Sequence, residues 1–133
     1  MMTTLVTIGQ AAKQTGLSAK MIRHYEEAGL LKKAHRTDAG YRLYNSQQLQ
    51  QLSFIKQART LGFSIAQVSS LLDLWRNPQR SSKEVKQLAE QHLDEIKQKV
   101  AELQQMQKVL QQLADSCCGD DQPQCAILDG LQK

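Results

Sequence analysis

The chain has 133 residues, a formal net charge of +4 and three cysteines, and no apolar run in it approaches the roughly 20 residues that cross a bilayer. That length suits one modest globular domain with an extension, and the start MMTTLVTIGQAAK lacks the basic n-region and long apolar stretch of a signal peptide, so the expectation is a cytoplasmic protein with no membrane partner. The charge is unevenly split: residues 1–76 carry ten Lys/Arg against four Asp/Glu, and residues 77–133 carry seven against nine, so a polyanion is expected at one end and another task at the other.

The first predicted element is a short helix. Thr7-Ile8-Gly9-Gln10 has the form of a capping box, and the helix it starts ends near Gly16. Ser18 can cap a second helix with Met21, Ile22 and Tyr25 on one face, closed by Gly29. Two short helices joined by a tight glycine turn form a helix-turn-helix candidate. Residues 33–44, KAHRTDAGYRLY, combine a turn signal at Thr37–Gly40 with the strand-forming run Tyr41–Tyr44, which predicts a small β-hairpin wing. Asn45 or Ser46 caps the next helix, which carries Leu49, Leu52, Ile55 and Ala58 and stops at Gly62. Ser64 caps another, with Val68, Leu71, Leu72 and Trp75, ended by Pro78.

The periodicity then changes. Lys86, Ala89, Leu93, Ile96, Val100, Leu103, Gln107, Leu110 and Ala114 step alternately by three and four, and seven of these nine are apolar. With Ser81 or Ser82 as its cap, a helix from Ser82 to Ala114 spans about 50 Å at 1.5 Å per residue. A narrow apolar stripe on so long a helix calls for a partner, and an antiparallel coiled coil with a second copy, a C2 homodimer, supplies one. The expected fold is therefore mainly α: a winged helix-turn-helix domain over residues 5–76, a dimerisation helix over 81–114, and a loop with a short helix over 115–133.

The run IGQAAKQTGLSAKMIRHYEEAGLL followed by RTDAGYRLY resembles the DNA-binding half of the MerR family of transcriptional regulators, with its "IRxYEExGLL" element at Ile22–Leu31 and its "GYRxY" element at Gly40–Tyr44. The resemblance covers most of residues 5–76, and the long helix extends it. It implies that the second helix enters the major groove, with Ala19, Lys20 and Arg23 facing DNA. Lys20 and Arg23 suit a base edge or a phosphate equally, and the sequence leaves both open. It also implies that the Tyr25 hydroxyl meets a phosphate, that Arg36, Tyr41, Arg42 and Tyr44 of the wing reach backbone or minor groove, and that Arg59 makes a further phosphate contact. For Tyr25 and Tyr44, packing in the domain core is the competing role. The partners implied are double-stranded promoter DNA with a palindromic operator, and RNA polymerase at a promoter whose elements stand too far apart until the DNA is bent and untwisted.

All three cysteines lie in SCCGDDQPQC, residues 116–125. In a reducing compartment such a cluster is more often metal-binding or redox-active than a structural staple. Only eight residues follow Cys125, so a loop-borne effector site is expected instead of a ligand domain, and three cysteines are one short of an iron–sulfur set. The loop, with its Cys117-x7-Cys125 spacing, is similar to that of the copper-efflux regulators of the CueR type and their gold-sensing relatives. That resemblance implies one Cu(I), Ag(I) or Au(I) per chain, two-coordinate between Cys117 and Cys125, which is coherent for soft d10 ions and soft thiolates. The residual negative charge needs backbone N–H groups or a helix N-terminus, which residues Ala126–Leu131 could provide. Ser82 stands where divalent-metal sensors of the family carry cysteine and monovalent sensors serine, and so marks metal selectivity. In the implied dimer this position of one chain approaches the loop of the other. Cys118 departs from the copper pattern and is expected to be a non-ligand thiol.

Three other readings remain: a zinc- or divalent-metal-responsive regulator, a metal-binding protein without transcriptional function, and a redox switch built on the same thiols. Catalysis finds no support, because the sequence offers no nucleophile–base pair and no phosphate loop.

Overall fold

The computed structural model describes residues 4–132, which fall into two compact units, one extending to Leu88 and one beginning at Ala89. The first unit opens with β1 (Val6–Thr7) and α1 (Ile8–Thr15). Thr7 caps α1 through its side chain and Gln10 returns the bond to the Thr7 N–H, completing the expected capping box. Gly16 ends the helix at φ +76°, a left-handed conformation that a side chain would strain, and the Lys56 amine lies where a Cβ would go. Ser18 then caps α2 (Ala19–Glu27) through its bond to the Met21 N–H.

The wing is built from β2 (His35–Arg36) and β3 (Arg42–Tyr44), paired antiparallel with Arg36 opposite Arg42. The sequence predicts this hairpin but not its third strand: β1 pairs with the other edge of β3, Val6 opposite Tyr44, giving the order β1-β3-β2. Strands of two residues carry no periodicity, so only the backbone pairing reveals them. The consequence is mechanical, because β1 runs directly into α1 and ties the wing to the first helix.

Asn45 caps α3 (Ser46–Thr60) in a second capping box with Gln48, and Ser64 caps α4 (Ile65–Arg76) in a third with Gln67. The core gathers the apolar faces of these elements: Ala11, Ile22, Leu52, Ile55, Val68 and Leu72 are fully buried, with Tyr25, Leu30 and Leu31 close behind. Leu72→Ala leaves a hole in this core and is expected to destabilise the unit by about 2–5 kcal/mol, read as a shifted midpoint in chemical denaturation at fixed protein concentration.

From Ser82 to Ser116 runs α5, one uninterrupted helix of 35 residues, consistent with a dimerisation helix. Ser81, not Ser82, provides its cap by accepting from the Glu84 N–H at 3.3 Å. Within the second unit the helix exposes Leu93, Ile96, Val100, Leu103 and Leu110, the expected stripe, and also Met106 and Val109 beside it. The short α6 (Ala126–Leu131) follows the cysteine loop. It lies so close to the end of α5 that a Cβ on Gly130 would collide with the Leu113 side chain. Among the described residues no helix is long and apolar enough to cross a membrane.

Candidate DNA interface and metal centre

On α2 the apolar positions Ile22 and Tyr25 turn inward, and Lys20 and Arg23 stand exposed with Ala19 half-buried beside them. Tyr25 is only 3% exposed, so its ring belongs to the core. In the wing, Arg36 donates from Nη1 to the Gly40 carbonyl at 3.0 Å and braces the turn, and Tyr41 projects at the tip, 71% exposed. Arg42 is half-buried on β3. Arg59, exposed in the last turn of α3, donates to the Phe63 carbonyl at 2.8 Å and so closes the α3–α4 corner.

Of the two roles open to Tyr44, DNA contact and core packing, the structure shows packing: it is 0% exposed, and its hydroxyl donates to Glu26 Oε2 at 2.9 Å. Burial and the neighbouring carboxylate push the phenol well above its ordinary pKa, so the group remains a donor. The reason is tertiary: β1 and β3 pair at Val6 and Tyr44, and the Tyr44 side chain points into the core from that sheet. Glu26 itself escapes a charge-based reading because Glu27 beside it is an ordinary surface acid. The available signal was helical phase, since Glu26 lies one turn after the buried Ile22.

In the second unit, Cys117 and Cys125 bracket the loop between α5 and α6. Their sulfurs are 3.7 Å apart and both residues are half-buried, whereas Cys118 is exposed. A disulfide needs about 2.05 Å, so these are free thiols. Two metal–thiolate bonds of about 2.3 Å bridge sulfurs up to about 4.6 Å apart, so a single ion fits between this pair with modest adjustment. The Cys117 thiol is held below its ordinary pKa, chiefly by the Gly119 backbone N–H, then by the Cys125 thiol and by the N–H of Ala126, the first residue of α6; desolvation and Cys118 oppose the effect. The short helix expected from the sequence is present, and it turns the Ala126 N–H towards the Cys117 sulfur. Among the described residues no group of three or more His, Cys, Asp or Glu side chains is placed to hold a metal. Asp120 accepts from the Gln122 N–H at 3.0 Å within the loop, which accounts for it structurally. Ser82 is exposed in the first turn of α5.

Known proteins place these features in context. Residues 7–44 match the family described as MerR family regulatory protein, and residues 49–113 the family described as MerR, DNA binding. The chain is 44% identical over 126 residues to heavy metal-dependent transcription regulator 2 of Rhizobium meliloti, covering 95% of this chain and 86% of that one. It is 41% identical over 126 residues to the HTH-type transcriptional regulator CueR of Escherichia coli, covering 95% and 93%. Its fold resembles the crystal structure of the transcription regulator PbrR691 from Ralstonia metallidurans in complex with lead(II), with a TM-score of 0.82 at 30% identity over 95% of this chain and 98% of that one. The capped helix pair, the wing and the long fifth helix thus have one explanation: the chain belongs to the MerR family of DNA-binding transcriptional regulators, which are not enzymes.

Proposed function

We propose that this regulator responds to a monovalent coinage-metal ion, Cu(I) or its analogues Ag(I) and Au(I), one per chain, held by Cys117 and Cys125, and that it acts as a homodimer on promoter DNA to switch on metal-efflux genes with RNA polymerase. The observation that carries this reading is the thiol pair 3.7 Å apart, half-buried and supplied with backbone N–H groups, which no third His, Cys, Asp or Glu side chain joins among the described residues. The ion supplies a soft Lewis acid that joins two thiolates, leaving a net charge of −1. The chain's own residues do the rest: the Gly119 and Ala126 N–H groups stabilise that charge, and packing of α6 on Leu113 links the state of the loop to the end of α5. A loop ordered in one conformation of the dimer and not the other gives the ion differential affinity, the condition for any shift.

The relatives named for heavy metals, and the lead(II) complex of PbrR691, favour a second reading in which the ion is divalent. Such an ion wants more donors than two thiolates, and Ser82, the proposed selectivity position, offers a hydroxyl where a thiol would add one. Anaerobic titration of the full-length protein with Cu(I) and with Zn(II), each against a competing chelator, decides between them. One tightly held Cu(I) per chain is expected; a zinc site of greater stability that drives promoter activation would overturn the proposal.

On the DNA side, Ala19, Lys20, Arg23, Arg36, Tyr41, Arg42 and Arg59 form the proposed contact set, with Tyr25 restricted to its hydroxyl. Arg23→Ala discriminates between its two roles. Lost base contact relaxes specificity at one position by about 1–3 kcal/mol, whereas lost phosphate contact weakens all sequences alike and lowers the salt slope by about one. Anisotropy titrations over a salt series, on matched and single-substitution duplexes, read out which occurs.

A further inference from the structure

We propose that Glu26 is a positioning residue for operator recognition: its buried carboxylate locks the wing to the helix that carries Lys20 and Arg23, and it presents Arg42 to the DNA backbone in a single geometry. This proposal rests on the family's DNA binding and is independent of the metal.

Glu26 sits in the last turn of α2, one turn after Arg23, and is 8% exposed. A buried carboxylate is costly unless donors surround it. Its donors come from outside its own helix. Tyr44 Oη donates to Oε2 at 2.9 Å from β3, and the Ala34 N–H donates to Oε1 at 3.2 Å from the segment entering β2. Arg42 Nε, also on β3, lies 3.6 Å from Oε2. That Nε is buried with no hydrogen bond, so the ion pair is its compensation, while the side chain as a whole stays one-fifth exposed. One carboxylate therefore joins α2, the approach to the wing and the wing's central strand. It does so at the edge of a groove lined by Lys32, Lys33, Arg36, Arg42 and Arg76, a basic surface with two acids, Glu26 and Glu27, built into it.

Burying an ion pair is a poor way to gain stability, since apolar residues of similar volume usually do as well or better. What an apolar residue cannot do is fix three polar segments at one mutual angle. In a winged helix-turn-helix the helix and the wing meet different stretches of the duplex, so their angle decides which backbone path satisfies both. The carboxylate also offsets the attraction of Arg42 for phosphates in general. Glu26 thereby lowers affinity for arbitrary DNA and raises the relative affinity for the operator.

The test uses the full-length protein and two duplexes: one enriched by the wild type from a random-sequence pool, and a scrambled duplex of the same composition. Glu26→Gln keeps an acceptor for Tyr44 or Ala34 but removes the charge that holds Arg42. Its affinity for the enriched duplex is expected to fall while binding to the scrambled one is unchanged or tighter, so the ratio of the two falls about tenfold. On an Arg42→Gln background the same change should cost little further ratio. An equal loss on both duplexes, the signature of a smaller folded fraction, overturns the proposal, as does full multiplicativity in the double variant. Should Glu26→Gln fail to fold, Tyr44→Phe removes one donor without changing charge; it is expected to lower the ratio by a smaller factor, and an unchanged ratio overturns the proposal equally.

Discussion

Cys117→Ser and Cys125→Ser are each expected to abolish metal-dependent activation while leaving promoter binding by the apo protein intact, and Cys118→Ser is expected to retain both. A soft ion held by two thiolates loses half of its donor set when either is replaced by a hydroxyl, and a hard oxygen does not substitute. Affinity should therefore fall by several orders of magnitude. The three variants divide along the geometry: Cys117 and Cys125 face each other at 3.7 Å and are half-buried, and Cys118, adjacent in sequence, is exposed. Chelator competition under anaerobic conditions measures the affinity, and a transcription reporter measures the response. Loss of metal binding in Cys118→Ser, or normal activation with both Cys117 and Cys125 replaced, is incompatible with the proposed site. The same experiment separates a metal sensor from an oxidation switch, because a reporter driven by peroxide without metal would implicate disulfide formation between these thiols.

Val100→Glu is expected to leave the protein monomeric and to reduce operator affinity by roughly 10²–10⁴-fold, the avidity that joins two half-site contacts. Val100 is 47% exposed, midway along a stripe with Ile96 and Leu103. In a two-fold symmetric seam each substitution is felt twice, and burying an uncompensated carboxylate is prohibitive. Sedimentation resolves the oligomeric state, and anisotropy on an operator duplex resolves the affinity. A dimer that survives the substitution would remove α5 from the interface. Gln98→Glu, exposed on the same helix and on the face opposite the stripe, serves as the control for a surface change.

Local chemistry made most of the elements legible. Thr7, Ser18, Asn45 and Ser64 each accept a bond from an N–H three residues on, a decision made within one helical turn, and the structure shows all four. The long helix was legible for a related reason: a three–four repeat maintained from Ala89 to Ala114 is satisfied by only one periodic structure. The thiol pair was identifiable from the resemblance of its loop to those of copper-efflux regulators, and its approach in space follows from a loop short enough to bring both ends together.

Distant pairings were decided otherwise. Nothing near Val6 announces that it pairs with Tyr44, 38 positions later, yet that bridge turns a hairpin into a three-stranded sheet and buries a tyrosine whose role the sequence left open between DNA contact and core. The pairing of Glu26 with Tyr44, Ala34 and Arg42 is likewise invisible along the chain, because its partners are 8–18 residues away on elements with different periods. Propensity, caps and repeats therefore specified which helices form, and the cysteines, read through the family resemblance, indicated what chemistry the loop can do. Only the folded arrangement decided which polar groups lost their water, because desolvation depends on every neighbour at once and not on any residue's own preference.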